Sequence, residues 1–196
     1  MVGAVAGLVF LLGNLLLTAQ LAVFLAVAAA VVVTGALHED GFADACDGLG
    51  GVRPKERVLE IMRDSRIGAY GVIGLIFMIG TKGLALSAMP ATDVFLVLIA
   101  GHTASRAAMV WVMASSDYVR EKGAGSAVAG GIDRAALIVA LITTGLAFLP
   151  LVFCMRLEAI FCGLVGLVLA HYLMRRWYEP RLGGYTGDCL GAVQQC

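Results

Sequence analysis

Apolar residues run almost unbroken through the first 37 positions, and no side chain in that stretch is charged. About 20 apolar residues cross a bilayer, so residues 1–37 predict two membrane helices that reverse between Asn14 and Gln20, the first of them short. Further apolar blocks predict spans at 68–89, 93–114, 134–153 and 157–174. Pro90 and Pro150 fall at or near span ends, where a missing N–H costs least. A different pattern follows Pro54. Val58, Leu59, Ile61 and Met62 give an apolar side beside Arg53, Lys55, Arg57 and Arg63, the mark of a short amphipathic helix in the interface. The fold class implied is all-α: a polytopic integral membrane bundle of about six transmembrane helices, forming one membrane-embedded domain over residues 1–196.

Composition agrees with the pattern. The chain is 60% hydrophobic and 14% charged, against about 25% charged in soluble domains, and its mean hydropathy is +0.91. The leading residues lack a positively charged start and a cleavage site, so they read as a retained hairpin and not as a signal peptide. Net charge is zero, with no basic tract and no zinc-spaced cysteine pair, which excludes a nucleic-acid role. Cys46, Cys154, Cys162, Cys189 and Cys196 read as small, reduced, buried side chains. Gly3-x-x-x-Gly7 would let helices approach closely, and a homo-oligomer is compatible with it.

Alternating spans gather loops 38–67, 115–133 and 175–196 on one face. With Arg134 at its edge, that face holds eleven of the fourteen Lys and Arg residues. The opposite face holds only Arg156, while Lys82 and Arg106 fall inside spans. The asymmetry predicts that the loop-rich face is cytoplasmic, in a chain otherwise surrounded by membrane lipid.

The string "HEDGFADACDG", residues 38–48, places a histidine and four carboxylates where the first apolar stretch ends. On a helix, Asp40, Asp44 and Asp47 stand at i, i+4 and i+7 and share one face. Like charges so arranged repel, and a membrane centre would add about 2.5–3.5 kcal/mol for each. A solvated acidic loop is the plain alternative; three aspartates in register beside His38 favour a bound cation. Carboxylates suit Mg²⁺, which keeps several waters and bridges to phosphates. Just before the next span, Arg63, Asp64, Ser65 and Arg66 combine a carboxylate, a hydroxyl and two guanidiniums, the chemistry of a metal–phosphate clamp. Asp40, Asp44, Asp47 and Asp64 are therefore the candidate metal ligands.

Buried cations add to the picture, because a charge within a span usually has a partner in the bundle. Lys82 reads either as a structural ion pair or as a substrate contact. Ser105 and Arg106 read as substrate contacts, and His102 as a hydrogen-bonded core residue. The last polar stretch, "LGGYTGDCLGA", reads as a glycine-rich turn in which Thr186 and Asp188 would close over a phosphate or join the metal.

The strings "TGALHEDGFADACDG", "RVLEIMRDSRIGAYG", "REKGAGSAVAG" and "GGYTGDCLGA" resemble, in wording and in order, the cobalamin synthase family of adenosylcobinamide-GDP ribazoletransferases. The resemblance runs from Thr34 to Gly191. It implies a multi-pass enzyme of the bacterial or archaeal inner membrane. Such an enzyme joins α-ribazole or its 5′-phosphate to adenosylcobinamide-GDP with Mg²⁺, releasing GMP and forming adenosylcobalamin or its phosphate. Position by position, the resemblance places His38, Asp40, Asp44, Asp47 and Asp64 on the family's histidine and acidic positions, whereas Glu39 falls where the family tolerates apolar residues. Family members usually carry an additional N-terminal stretch and a further membrane helix, so the chain reads as incomplete at both ends relative to them.

The chemistry expected is phosphoryl transfer by positioning and charge neutralisation, with Arg63, Arg66 and Arg106 facing the leaving group. The general base is left open between His38 and an unliganded aspartate. Two other readings compete with this one. A CDP-alcohol phosphotransferase shares Asp44-x-x-Asp47-Gly, but the Ala-Arg that should follow is absent. An ion transporter would want its carboxylates at mid-span, and here they cluster at one interface.

Overall fold

The computed structural model describes residues 1–120 and 132–196. Lys122 and most of the "REKGAGSAVAG" string lie outside the described residues. Among the described residues the chain forms nine helices: α1 (Val2–Leu16), α2 (Ala19–Thr34), α3 (Leu37–Leu49), α4 (Lys55–Ile61), α5 (Ala69–Ser87), α6 (Ala91–Ser115), α7 (Arg134–Cys154), α8 (Leu157–Leu182) and α9 (Gly187–Gln195). The all-α membrane bundle is as expected. The count of six spans is not. Helices α5, α6, α7 and α8 are long and apolar enough to cross a membrane, and a fifth span results only if the bent pair α2–α3 is counted as one. The reason is length: α1 and α2 have 15 and 16 residues, about 23 Å of helix against a hydrocarbon core of about 30 Å. Their reversal falls within the expected interval, at Leu17 and Thr18, where the Thr18 hydroxyl accepts the Leu21 N–H.

Gly3 and Gly7 serve packing inside the chain. A Cβ on Gly3 would lie 2.5 Å from the Leu98 carbonyl oxygen, and one on Gly7 equally close to the Phe95 ring, so the pair seats α1 directly against α6. Around this contact Ala6, Phe10, Ala22, Val23, Ala26, Val94 and Leu98 form one core. The outward faces of α5, α7 and α8 expose Phe77, Val139, Phe153, Phe161 and Val168, an apolar surface suited to lipid. Cys154 and Cys162 lie on that surface and Cys196 is also exposed, against the expectation of burial; all five cysteines are free thiols.

The chain leaves α2 through Gly35 (φ 62°) and Ala36 (φ 58°), both left-handed. Glycine accepts that conformation without a Cβ penalty, and the two residues together bend the path by 90°. Helix α3 therefore turns out of the span direction and runs across the polar end of the bundle. Helix α4 forms where expected, but its apolar side covers protein: Val58 and Met62 are buried against Gly48 of α3, where a Cβ would meet Met62 Cγ at 2.9 Å.

The larger difference lies at the end of the chain. Helix α8 continues to Leu182 with Pro180 inside its last turn, Gly183 (φ 73°) stops it, and the stretch read as a glycine-rich turn folds into α9. Thr186 caps this helix by accepting the Cys189 N–H at 3.3 Å. Residues Cys189 to Gln195 are buried, and Leu49, Val58, Val112, Tyr178, Leu182 and Val193 form a second core around them.

Candidate active site

Helices α3 and α9 cross at two glycines. A Cβ on Gly41 would lie 3.0 Å from Asp188 Cα, and one on Gly191 would lie 3.0 Å from the His38 carbonyl oxygen. This approach carries Asp188 up to the acidic face of α3. Arg120, leaving α6, donates from Nη2 to Asp188 Oδ2 at 2.7 Å. The parallel bridge between Tyr118 and Tyr185 fixes the two segments beside each other, with their rings packed edge to face at 5.4 Å.

The electrostatics are those of crowded negative charge. Burial, and then repulsion from Asp188 and Asp40, pushes Asp44 up to about 7, with Arg120 opposing. Burial likewise raises Asp188 above the usual carboxylate range, against the pull of Arg120. Among the described residues no hydrogen bond reaches the side-chain carboxylate of Asp40 or Asp44. Asp47 is engaged: its two oxygens accept the N–H groups of Gly68 (2.7 Å) and Gly71 (2.9 Å). It thus caps the N-terminus of α5, whose positive dipole end favours a carboxylate. The same approach requires glycine at both donors, since a Cβ at either would stand 2.5 Å from an Asp47 oxygen.

This donor chemistry fits a hard divalent ion. Asp40, Asp44 and Asp188 repel one another, and the cation drawn among them is Arg120. Among the described residues, no three side chains of His, Cys, Asp or Glu already converge as ligands, so the site is one of charge and donors without a finished cage.

The other expected site residues separate into groups. Asp64 does not reach the α3 carboxylates; Arg66 grips it with two side-chain nitrogens at 3.0 and 2.7 Å, and these bonds hold Asp64 down to about 2. Arg63, Ser65 and Arg66 are exposed at the mouth of α5. Arg106 turns back along its own helix to donate to the His102 carbonyl at 2.9 Å. His38, by contrast, is held below its usual value by burial first and by the Arg106 guanidinium second, so its imidazole is neutral at pH 7.

Deeper in the bundle, Lys82 finds its partner on α9. Its Nζ donates to Gln195 Oε1, and Gln195 Nε2 donates to Glu39 Oε1 at 2.7 Å. Gln194 Nε2 donates to Ser105 Oγ at 3.3 Å. Arg120, Glu39, Gln194 and Gln195 were not singled out from the sequence. Arg120 had a signal, as the first residue of a quoted string; the two glutamines had none, because their depth depends on α9 being a helix.

Three comparisons bear on this arrangement. The family model described as cobalamin-5-phosphate synthase matches residues 1–196. The curated "Adenosylcobinamide-GDP ribazoletransferase" of Shewanella amazonensis is 39% identical over 203 residues, covering 100% of this chain and 76% of that protein. The proteins of the same name from Leptothrix cholodnii and Ralstonia pickettii are each 41% identical, covering 99% and 100% of this chain and 76% of their own lengths. No solved structure matches.

Proposed function

This chain belongs to the cobalamin-5-phosphate synthase family, and from that premise we propose that it joins ribazole, free or as its 5′-phosphate, to adenosylcobinamide-GDP with release of GMP. The observation that carries the reading is the close crossing of α3 and α9 at Gly41 and Asp188, which brings Asp188 and its partner Arg120 to the helix that bears Asp40 and Asp44, in a chain matched to that family over its whole length.

In this reading Asp44, with Asp40 and Asp188, would hold Mg²⁺, and the ion would supply charge neutralisation for the pyrophosphate of the activated corrinoid. The acceptor oxygen attacks the phosphorus that bears cobinamide, and the bond from that phosphorus to the bridging oxygen breaks, so GMP leaves with the bond's electron pair. Arg120 pairs with Asp188, and its planar fork suits the phosphate oxygens. Arg63, exposed at the mouth of α5, is placed to reach the leaving nucleotide, and Arg66 would join it by exchanging its bonds to Asp64 for the phosphate. His38, held below its usual value by burial and by Arg106, accepts the proton of the attacking ribose hydroxyl. A 5′-phosphate, where the acceptor carries one, is kept in the product, so a ring hydroxyl of the ribose is the nucleophile in either case.

The test is direct. The chain in nanodiscs receives adenosylcobinamide-GDP, α-ribazole and Mg²⁺, and GMP and the corrinoid product are followed chromatographically. GMP and cobalamin should appear in equal amounts, and only with divalent metal present. Absence of GMP release by a folded chain rejects the reading.

The excess of Lys and Arg at the polar end supports placing that end on the cytoplasmic side of the bacterial inner membrane. A single cysteine at position 55, in a cysteine-free background, should resist an impermeant maleimide in intact cells and react once they are opened. Labelling from outside reverses the topology.

A further inference from the structure

We propose that the cavity enclosed by α2, α5, α6, α8 and α9 binds the base and ribose of the acceptor nucleoside. This deepens the transferase reading above and rests on it. The cavity has a volume of about 500 Å³, within the common range for small-molecule sites. Val27, Met78, Leu98 and Leu167 contribute to its apolar wall.

Its polar fittings are incomplete. Gln194 is 5% exposed, and while its Nε2 is bound to Ser105, its Oε1 is buried without a partner. Glu39 gives Oε1 to Gln195 and leaves Oε2 buried and unpaired. Both ring nitrogens of His171 are likewise bare. All three residues line this one cavity. A buried polar atom without a hydrogen bond costs about 1–3 kcal/mol, so this concentration marks the place of a ligand.

The chemistry of the gap describes that ligand. Two bare acceptors, Glu39 Oε2 and Gln194 Oε1, call for hydroxyl donors, and the walls call for an apolar body. Ribazole has both: a dimethylated benzimidazole, flat and almost without hydrogen-bonding edge, and a ribose carrying hydroxyls. Guanine would bring an amide edge and an amino group against aliphatic side chains, and a corrin ring with its side chains exceeds the volume. A lipid acyl chain would suit the walls but leave the acceptors bare. The cavity also opens in the right direction. His38 and Glu39 line it and belong to α3 within two turns of Asp44. A nucleoside seated with its base inward presents its ribose hydroxyls to the acidic face.

Gly166 of α8 lines the cavity, and a Cβ there meets nothing within 4 Å, so Gly166→Phe can fill the space without displacing a neighbour. Gly80 of α5, also with open surroundings and outside the lining, is the control. The measurements are Michaelis constants for both substrates and equilibrium binding of α-ribazole alone to the full chain in nanodiscs. Gly166→Phe should weaken ribazole about tenfold or more while the Michaelis constant for adenosylcobinamide-GDP stays within about twofold. Gly80→Phe should change neither. Unchanged ribazole binding, or a rise confined to the corrinoid, overturns the proposal. If Gly166→Phe does not fold, Gln194→Leu, which removes one bare acceptor, carries the same expectation and the same refutation. Failure of the transferase reading looks different: the unsubstituted chain then releases no GMP, and ribazole binding lost on filling the cavity still supports the site.

Discussion

Asp44→Asn should lose turnover by about 100-fold or more and yet be the more stable protein when metal is withheld at pH 8. Both effects come from the same charge. In the metal-free fold Asp44 is raised from 3.8 to about 7, chiefly by burial and then by Asp188 and Asp40. A carboxyl whose folded value lies above its unfolded one makes the fold bind its proton more tightly, so stability falls as pH rises from about 4 to about 7. Above that window the ionised group opposes folding in full; below about 4 it opposes nothing. The group is only partly buried, so after discounting for solvent screening the penalty is about 1–2 kcal/mol, or a few degrees of thermal midpoint. Asparagine removes it. Adding Mg²⁺ should then stabilise the parent chain but not the variant, and should reverse their order. Thermal midpoints of both proteins at pH 5 and pH 8, with and without Mg²⁺, decide the matter together with GMP release. Full activity in Asp44→Asn, or equal stabilisation of both proteins by metal, removes Asp44 from the metal site.

The sequence made the long helices legible because apolar runs of membrane length need no tertiary context. α5, α6 and α7 begin and end within about two residues of the expected spans, whereas α8 starts at 157 as expected but runs on past 174 to Leu182. The register of Asp40, Asp44 and Asp47 was likewise readable, since it depends only on α3 being helical. What failed depended on contacts distant in sequence. Helix α9 has nine residues, two of them glycine, and isolated helices of that length are unstable in water; it exists because α3, α6 and α8 surround it. Without α9, neither the approach of Asp188 to Asp44 nor the depth of Gln194 and Gln195 could be foreseen. The pairing of Asp64 with Arg66 is local, but spacing alone does not choose between that bond and a shared metal. The count of six spans is not confirmed among the described residues, because α1 and α2 fall a few residues short of membrane length, the one quantity that an uninterrupted apolar stretch does not reveal.

Lys82→Met should destabilise the bundle, and Glu39→Gln should restore much of the loss. Lys82 stands in the middle of α5, and its ammonium donates to Gln195, whose amide in turn donates to Glu39. The three residues come from α5, α9 and α3, so the chain of bonds ties the buried end of α9 to both neighbours. Methionine keeps the apolar stem and deletes the charge. Gln195 Oε1 then loses its donor, and the Glu39 carboxylate, one of whose oxygens is already bare, loses the positive charge that balances it. Lys82 and Glu39 make no direct ion pair and meet through the Gln195 amide, so the loss is that of a donor to a buried acceptor, about 1–3 kcal/mol, with the weaker charge balance of Glu39 added to it. Glu39→Gln in the same chain removes that stranded charge, so the double variant should recover more than half of the lost thermal midpoint, a coupling that a double-mutant cycle measures directly. Activity should not follow stability. Glu39 and Lys82 both line the proposed nucleoside cavity, so the restored double variant should fold while its Michaelis constant for ribazole remains raised. Additive single effects would mean that Lys82 and Glu39 do not share one network, and a stable, fully active Lys82→Met would remove Lys82 from both the fold's support and the site.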